Sequence, residues 1–286
     1  MNTAKTVAIA VAVLCAPGST GTVDYGPPEW KAQSSGVNKT LWSVMFVDSL
    51  HGWAAGDGGT VVRTSDGGET WKRAASGSPS QSLRAIFFVD QANGWKADTG
   101  GDVFHSTDSG ASWTNRLRDT EAGFSACTFV SPDTGFVAGG KNHKGVVYRT
   151  TDAGSTWTET IIDDISWITS ICFAGGKRGY VVGSNDMAIT RDGGVSWRKA
   201  FSVTPSYRHG YINNAFFLDS LVGFGGGRYG HIMKTETGGG SWRIVYDGNF
   251  NPSVQEVHFP AAQTGVAVGE RGAVLYSLSG GERWKK

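Results

Sequence analysis

Gly52-Trp-Ala-Ala-Gly56-Asp-Gly-Gly-Thr60-Val-Val-Arg-Thr64-Ser-Asp66-Gly-Gly68-Glu-Thr70-Trp71 is the stretch whose reading decides the fold. It holds a Gly-aromatic pair, a Gly-rich turn, a short apolar run and a closing motif, Ser/Thr-x-Asp-x-Gly-x-Ser/Thr-Trp. The motif returns at Ser106, Asp108, Gly110, Ser112 and Trp113, at Thr150, Asp152, Gly154, Thr156 and Trp157, and at Thr190, Asp192, Gly194, Ser196 and Trp197. Two eroded copies follow, Thr235-Glu-Thr237-Gly-Gly239-Gly-Ser241-Trp242 and Ser277-Leu-Ser279-Gly-Gly281-Glu-Arg283-Trp284. A motif recurring roughly every forty residues marks a repeat architecture, each copy one supersecondary unit stacked on its neighbours.

Two more landmarks precede each motif. Apolar runs ending in Phe46, Phe88, Phe129, Phe173, Phe217 and Phe259 read as first strands. The pairs Gly52-Trp53, Gly94-Trp95, Gly135-Phe136, Gly179-Tyr180, Gly223-Phe224 and Gly265-Val266 open second strands. Four short strands joined by tight turns, with almost no helical periodicity, predict an all-β chain. The expected architecture is a β-propeller of four-stranded antiparallel blades, with six blades; seven is the alternative. In the motif, the Asp accepts N–H groups of its own turn, the Gly supplies positive φ, and the Trp brings a large apolar body to bury between blades. These residues, Asp66, Trp71, Asp108, Trp113, Asp152, Trp157, Asp192, Trp197 and Trp242, are therefore read as structural.

Trp30 lies about forty residues before Trp71 in a similar setting, Pro28-Glu-Trp30-Lys31, so the last blade is expected to take its outer strand from near Trp30. The domain is then one propeller over residues 20–286. Before it, Lys5 and the apolar run Val7–Ala16 describe a secretory signal peptide over residues 1–19, too short to span a bilayer. Lipidation at Cys15 is the alternative, against which Leu14 stands where a small residue belongs. An extracytoplasmic location follows: periplasm, thylakoid lumen or secreted. Cys127 and Cys172 fall on opposite faces of their strands in the repeat alignment, which disfavours a disulfide.

The charge balance, 26 Lys plus Arg against 25 Asp plus Glu, gives no electrostatic reason to expect nucleic acid as partner. Loops at one end of the blades supply Trp42, Arg84, Lys141, Lys144, Trp167, Arg208, Tyr211, Arg228, Tyr229 and Arg271, the Arg/aromatic mixture of a protein-binding surface. Asp57, Asp98, Asp186 and Glu270 lie on second-to-third-strand turns and read as turn residues, although a carboxylate pair for glycoside hydrolysis stays open. The Arg-Ile-Pro opening of sialidases is absent, and His143, His209 and His231 are scattered, so neither catalysis, a metal nor a cofactor is expected.

The composite Gly-aromatic, Gly-x-x-Gly, Thr-x-Asp-Gly-Gly-x-Thr-Trp pattern of residues 52–71, recurring over 41–284, resembles the repeat of the photosystem II stability/assembly factor family. That resemblance implies a non-enzymatic, monomeric scaffold outside the cytoplasm that binds a polypeptide, a membrane-complex subunit in a phototroph. The Asp-box also occurs in sugar-active propellers, so a glycan-binding lectin or a sialidase-like glycosidase is the other reading.

Overall fold

The computed structural model describes residues 31–76, 81–183, 186–200, 212–249 and 253–286. Trp30, residues 1–19 on which a signal peptide is expected, Arg208, His209 and Tyr211 lie outside them. The chain is all-β and follows the repeat: six antiparallel sheets arise in chain order, five with four strands and the last with three. This is the six-bladed β-propeller class. In the second sheet Leu83–Phe88, Gly94–Asp98, Asp102–Ser106 and Thr114–Arg118 lie side by side in chain order. The sixth holds Val254–Ala261, Thr264–Gly269 and Val274–Ser277, with Lys285 bridging Tyr276 through two backbone hydrogen bonds of 2.8 and 2.9 Å.

Two compact units divide the described residues: Lys31 to Val137 with Thr150–Thr158, and Ala138–Arg149 with Glu159–Lys286. Each has the same joint between neighbouring sheets. In the first unit the Trp53 ring stacks on Phe88 of the following sheet at 3.7 Å, and Trp95 on Phe129 at 4.5 Å. In the second unit Tyr180 stacks on Phe217 at 3.6 Å and Phe224 on Phe259 at 4.1 Å. The glycine before each aromatic is obligatory because the ring of the first-strand Phe, Phe88 over Gly94 for example, occupies the place of a β-carbon. The box Trp then meets that Phe edge-on, as in Phe88–Trp113 and Phe259–Trp284. Aromatic contacts of this kind contribute about 0.5–1.5 kcal/mol each beyond the area they bury.

The motif closes on itself. In the first copy Asp66 Oδ1 accepts the Thr70 N–H at 2.9 Å and the Thr64 hydroxyl at 2.7 Å, while Thr64 Oγ1 accepts the Gly68 N–H at 2.9 Å. Gly68 has φ +91°, a conformation that a side chain at this tight spot would strain. Asp108, Asp152 and Asp192 repeat the pattern and hold their carboxyls below the usual range, chiefly through the Ser/Thr hydroxyl that closes each turn. The eroded copies keep the geometry with a hydroxyl for the carboxylate: Ser241 N–H donates to Thr237 Oγ1 at 2.8 Å, and Arg283 N–H to Ser279 Oγ at 2.9 Å.

Ahead of the first sheet, residues 31–37 run along the first motif. Gln33 Oε1 accepts the Trp71 indole N–H at 3.2 Å, and its amide fills the space above Gly68. At the second and third motifs that space belongs to Trp53 and Trp95. Lys31 pairs with Glu69 at 3.0 Å. Both Cys127 and Cys172 are free thiols, and burial pushes each up to about 12.

Candidate functional site

In the first unit Trp42 and Arg84 come together. The Arg84 guanidinium lies 3.7 Å from the centre of the Trp42 ring, the geometry of a cation–π contact. Asp57, on the turn after Gly52–Gly56, accepts the Trp42 indole N–H at 2.6 Å and the Ser82 hydroxyl at 2.8 Å. The Trp42 N–H, then the Ser82 hydroxyl, hold the Asp57 carboxyl below its ordinary range. Trp42 remains 46% exposed, so an indole face and a guanidinium are presented together on a braced base. In the second sheet Asp98 Oδ1 accepts the N–H groups of Gly100 and Asp102, and Asp102 takes a bidentate pair from Arg118 at 2.8 and 2.9 Å.

In the second unit the lysines of the third sheet are engaged by carboxylates. Lys141 sits 2.8 Å from Glu159, which also accepts the Tyr148 hydroxyl at 2.5 Å, and Lys144 pairs with Asp163 at 2.7 Å. Trp167 covers Gly140 and is 39% exposed. Arg228 and Tyr229 form the turn of the fifth sheet and Glu270 and Arg271 that of the sixth, each a single 3₁₀ turn. These two sheets are neighbours, joined where Asn213 Nδ2 donates to Val254 O at 3.3 Å.

These turns share one left-handed backbone position and differ in the residue that fills it. The matching turn of the first sheet has Gly58 at φ +63°. The chain places Tyr229 there at φ +61° and Arg271 at φ +56°. His143, on the third-sheet turn, has φ +62°. Left-handed backbone suits glycine and costs other residues of order 1 kcal/mol each, and such strain concentrates at functional positions. Sequence reading named Tyr229 and Arg271 for their chemistry; their alignment with Gly58 was the signal for the strain. It did not foresee that Asp57 braces Trp42.

The carboxylates weighed for hydrolysis have other partners: Asp57 and Asp98 as above, Asp186 with Lys199 at 3.2 Å, Glu270 with Gln255 at 3.2 Å. Among the described residues there is no group of three or more His, Cys, Asp or Glu arranged to hold a metal ion, and no helix long and apolar enough to cross a membrane.

Residues 25–172 match the sequence profile of the family described as photosynthesis system II assembly factor YCF48. The photosystem II assembly protein Ycf48 of Thermosynechococcus vestitus is 38% identical over 50 residues, which cover 18% of this chain and 14% of that relative. Among solved structures, one of YCF48 bound to a D1 peptide superposes with a TM-score of 0.72 at 20% identity, over 92% of this chain and 85% of that one. A GH74 xyloglucanase of Xanthomonas campestris superposes with a TM-score of 0.69 at 12% identity, over 89% of this chain and 48% of the enzyme. At these identities the structural likenesses speak for the fold, and the family rests on the profile match across just over half of the chain. The chain belongs to the YCF48 family of photosystem II assembly factors.

Proposed function

We propose that this protein is a non-enzymatic, extracytoplasmic scaffold that captures a polypeptide segment of a membrane-complex subunit at the second-to-third-strand turns. The observation that carries the reading is the pair Tyr229 and Arg271, an aromatic and a cation held at left-handed backbone positions on adjacent sheets. Glycine would relax these turns as it does at Gly58, and a large aromatic and a cation kept there at a conformational cost favour a surface selected for contact. The stack of Arg84 on Trp42 offers the same chemistry in the first unit, suited to carboxylates and to aromatic or apolar side chains of a peptide. The structure of YCF48 with a D1 peptide supports a partner of this class. The apolar run Val7–Ala16 supports export.

The test sets function against stability. Replacing Tyr229→Gly and Arg271→Gly together should leave the melting temperature unchanged or raise it, because relief of strain is worth about 1 kcal/mol per site. The same variant should bind a D1-derived peptide about tenfold more weakly by calorimetry, a loss of about 1.4 kcal/mol. Unchanged affinity would remove these turns as the docking surface. Turnover of xyloglucan or sialosides by the intact protein would overturn the non-enzymatic reading.

A further inference from the structure

Lys96 occupies the centre of the strand Gly94–Asp98 and is fully buried. At the same place the other sheets carry Ala54, Val137, Val181, Gly225 and Ala267, all without a polar side chain. Its Nζ has no hydrogen-bond partner among the described residues. It lies 4.8 Å from the centre of the Phe104 ring and 4.8 Å from that of Trp113, whose indole N–H is likewise buried and unpartnered. Trp113 packs on the cluster of Trp53, Ala55, Val61, Leu83, Ile86 and Phe88, so the amine sits in the joint between the first and second sheets.

The charged groups on the surrounding elements are otherwise occupied. Asp98, on the same strand, takes the Gly100 and Asp102 N–H groups on Oδ1. Asp102, on the next strand, is held by Arg118 and Asn115. Arg63, from the first sheet, reaches Ser109 O at 3.4 Å. His105 stacks on Trp95, away from the joint. A neutral amine is at home in this surrounding as a long apolar side chain. An ammonium has two ring faces and no oxygen, far less than the water it has left.

We propose that Lys96 is a proton-operated weak point in the fold: its protonation loosens the joint between the first two sheets, so the joint opens more readily as the surroundings pass from alkaline to neutral. Burial pulls the Lys96 amine down to about 7 from the ordinary lysine value of 10.5, with Asp98 opposing. The folded protein thus gives up this proton more easily than the unfolded chain. Stability from this group rises with pH between about 7 and 10.5, is lost as pH falls through that window, and changes no further below it.

Hydrogen exchange of the full chain at about pH 6 and about pH 9, corrected for intrinsic rates, tests this at the amides of residues 103–118. Protection there should fall by about tenfold or more at the lower pH, while the strand Gly179–Gly183 shows a smaller change. Lys96→Met should erase the difference and Lys96→Arg, which keeps its charge, should show low protection at both pH values. The same pH dependence in wild type and Lys96→Met overturns the proposal. Should neither variant fold, the 13Cε signal of Lys96 in the intact protein decides: a titration midpoint near neutrality supports the weak point, and one in the ordinary lysine range overturns it.

Discussion

A carboxylate in an Asp-box does its work by being charged. Asp66 and Asp108 each accept a backbone N–H and one hydroxyl on Oδ1 and a second hydroxyl on Oδ2, which draws both down to about 2, led by the hydroxyls of Thr70 and Ser112 respectively. Their depressed folded values mean that the stabilisation is complete above the ordinary aspartate range and drains as pH falls through about 2. Replacing Asp66, Asp108, Asp152 and Asp192 with Asn should therefore flatten the acid limb of a stability-versus-pH curve measured by circular dichroism. Asp152→Ala alone should lower the melting temperature and leave peptide affinity as it was; lost affinity in a stable variant would make the boxes part of the docking surface. The box role was legible because its residue types are the turn chemistry itself. What was hidden is that Thr237 and Ser279 carry the eroded copies with a hydroxyl in the carboxylate's place. Lys96 was hidden for the opposite reason: charged residues in strands usually face water, and only its alignment with Ala54 and Val137 pointed inward.

At the level of the sheet, the joint explains the spacing of the pattern. Gly154 has φ +74°, and a β-carbon there would overlap the Trp95 ring. Gly154→Ala combines backbone strain with overpacking and should cost about 2–4 kcal/mol in chemical denaturation, with the slope of the transition unchanged. Trp95→Ala empties the same contact from the other side and should cost about 3–5 kcal/mol. The two together should cost less than their sum, because they touch one contact. The repeat made the strands and their order readable, since a period of two and fixed turn residues leave few alternatives. The cover of the first motif was not readable. The period directed attention to Trp30, whereas the residue found against Gly68 and Trp71 is Gln33, which has no counterpart in the other units.

For the molecule as a whole, removal of residues 20–37 is the informative truncation. It takes away Gln33, and with it the cover of Gly68 and the acceptor for the Trp71 N–H. It also takes away Trp30, which we propose as an outer strand for the last sheet. The shortened chain should unfold less cooperatively and aggregate on heating, read by calorimetry and light scattering. A melt matching that of the mature protein would dismiss both roles. The residues we propose for docking were expected on loops, yet Trp42, Arg84, Lys141 and Lys144 lie on the strands Leu41–Phe46, Leu83–Phe88, Gly135–Lys141 and Lys144–Thr150. Lys141 and Lys144, expected as part of a basic rim, are engaged by Glu159 and Asp163, and sequence gives no view of such pairing across strands.

The sheet-to-sheet joint also orders events in time. Trp53 is satisfied only when Ser109, 56 residues further on, offers its carbonyl, and Arg63 waits for the same atom. The first sheet is thus completed by the box of its successor, a tie that spans about one repeat. Such a joint needs no distant partner while it is being made: a nascent segment of about two repeats already contains it, and only the proposed outer strand at Trp30 waits for the last sheet. Because the box of one repeat locks the joint of its predecessor, joints of this kind can form in the order in which the repeats are made.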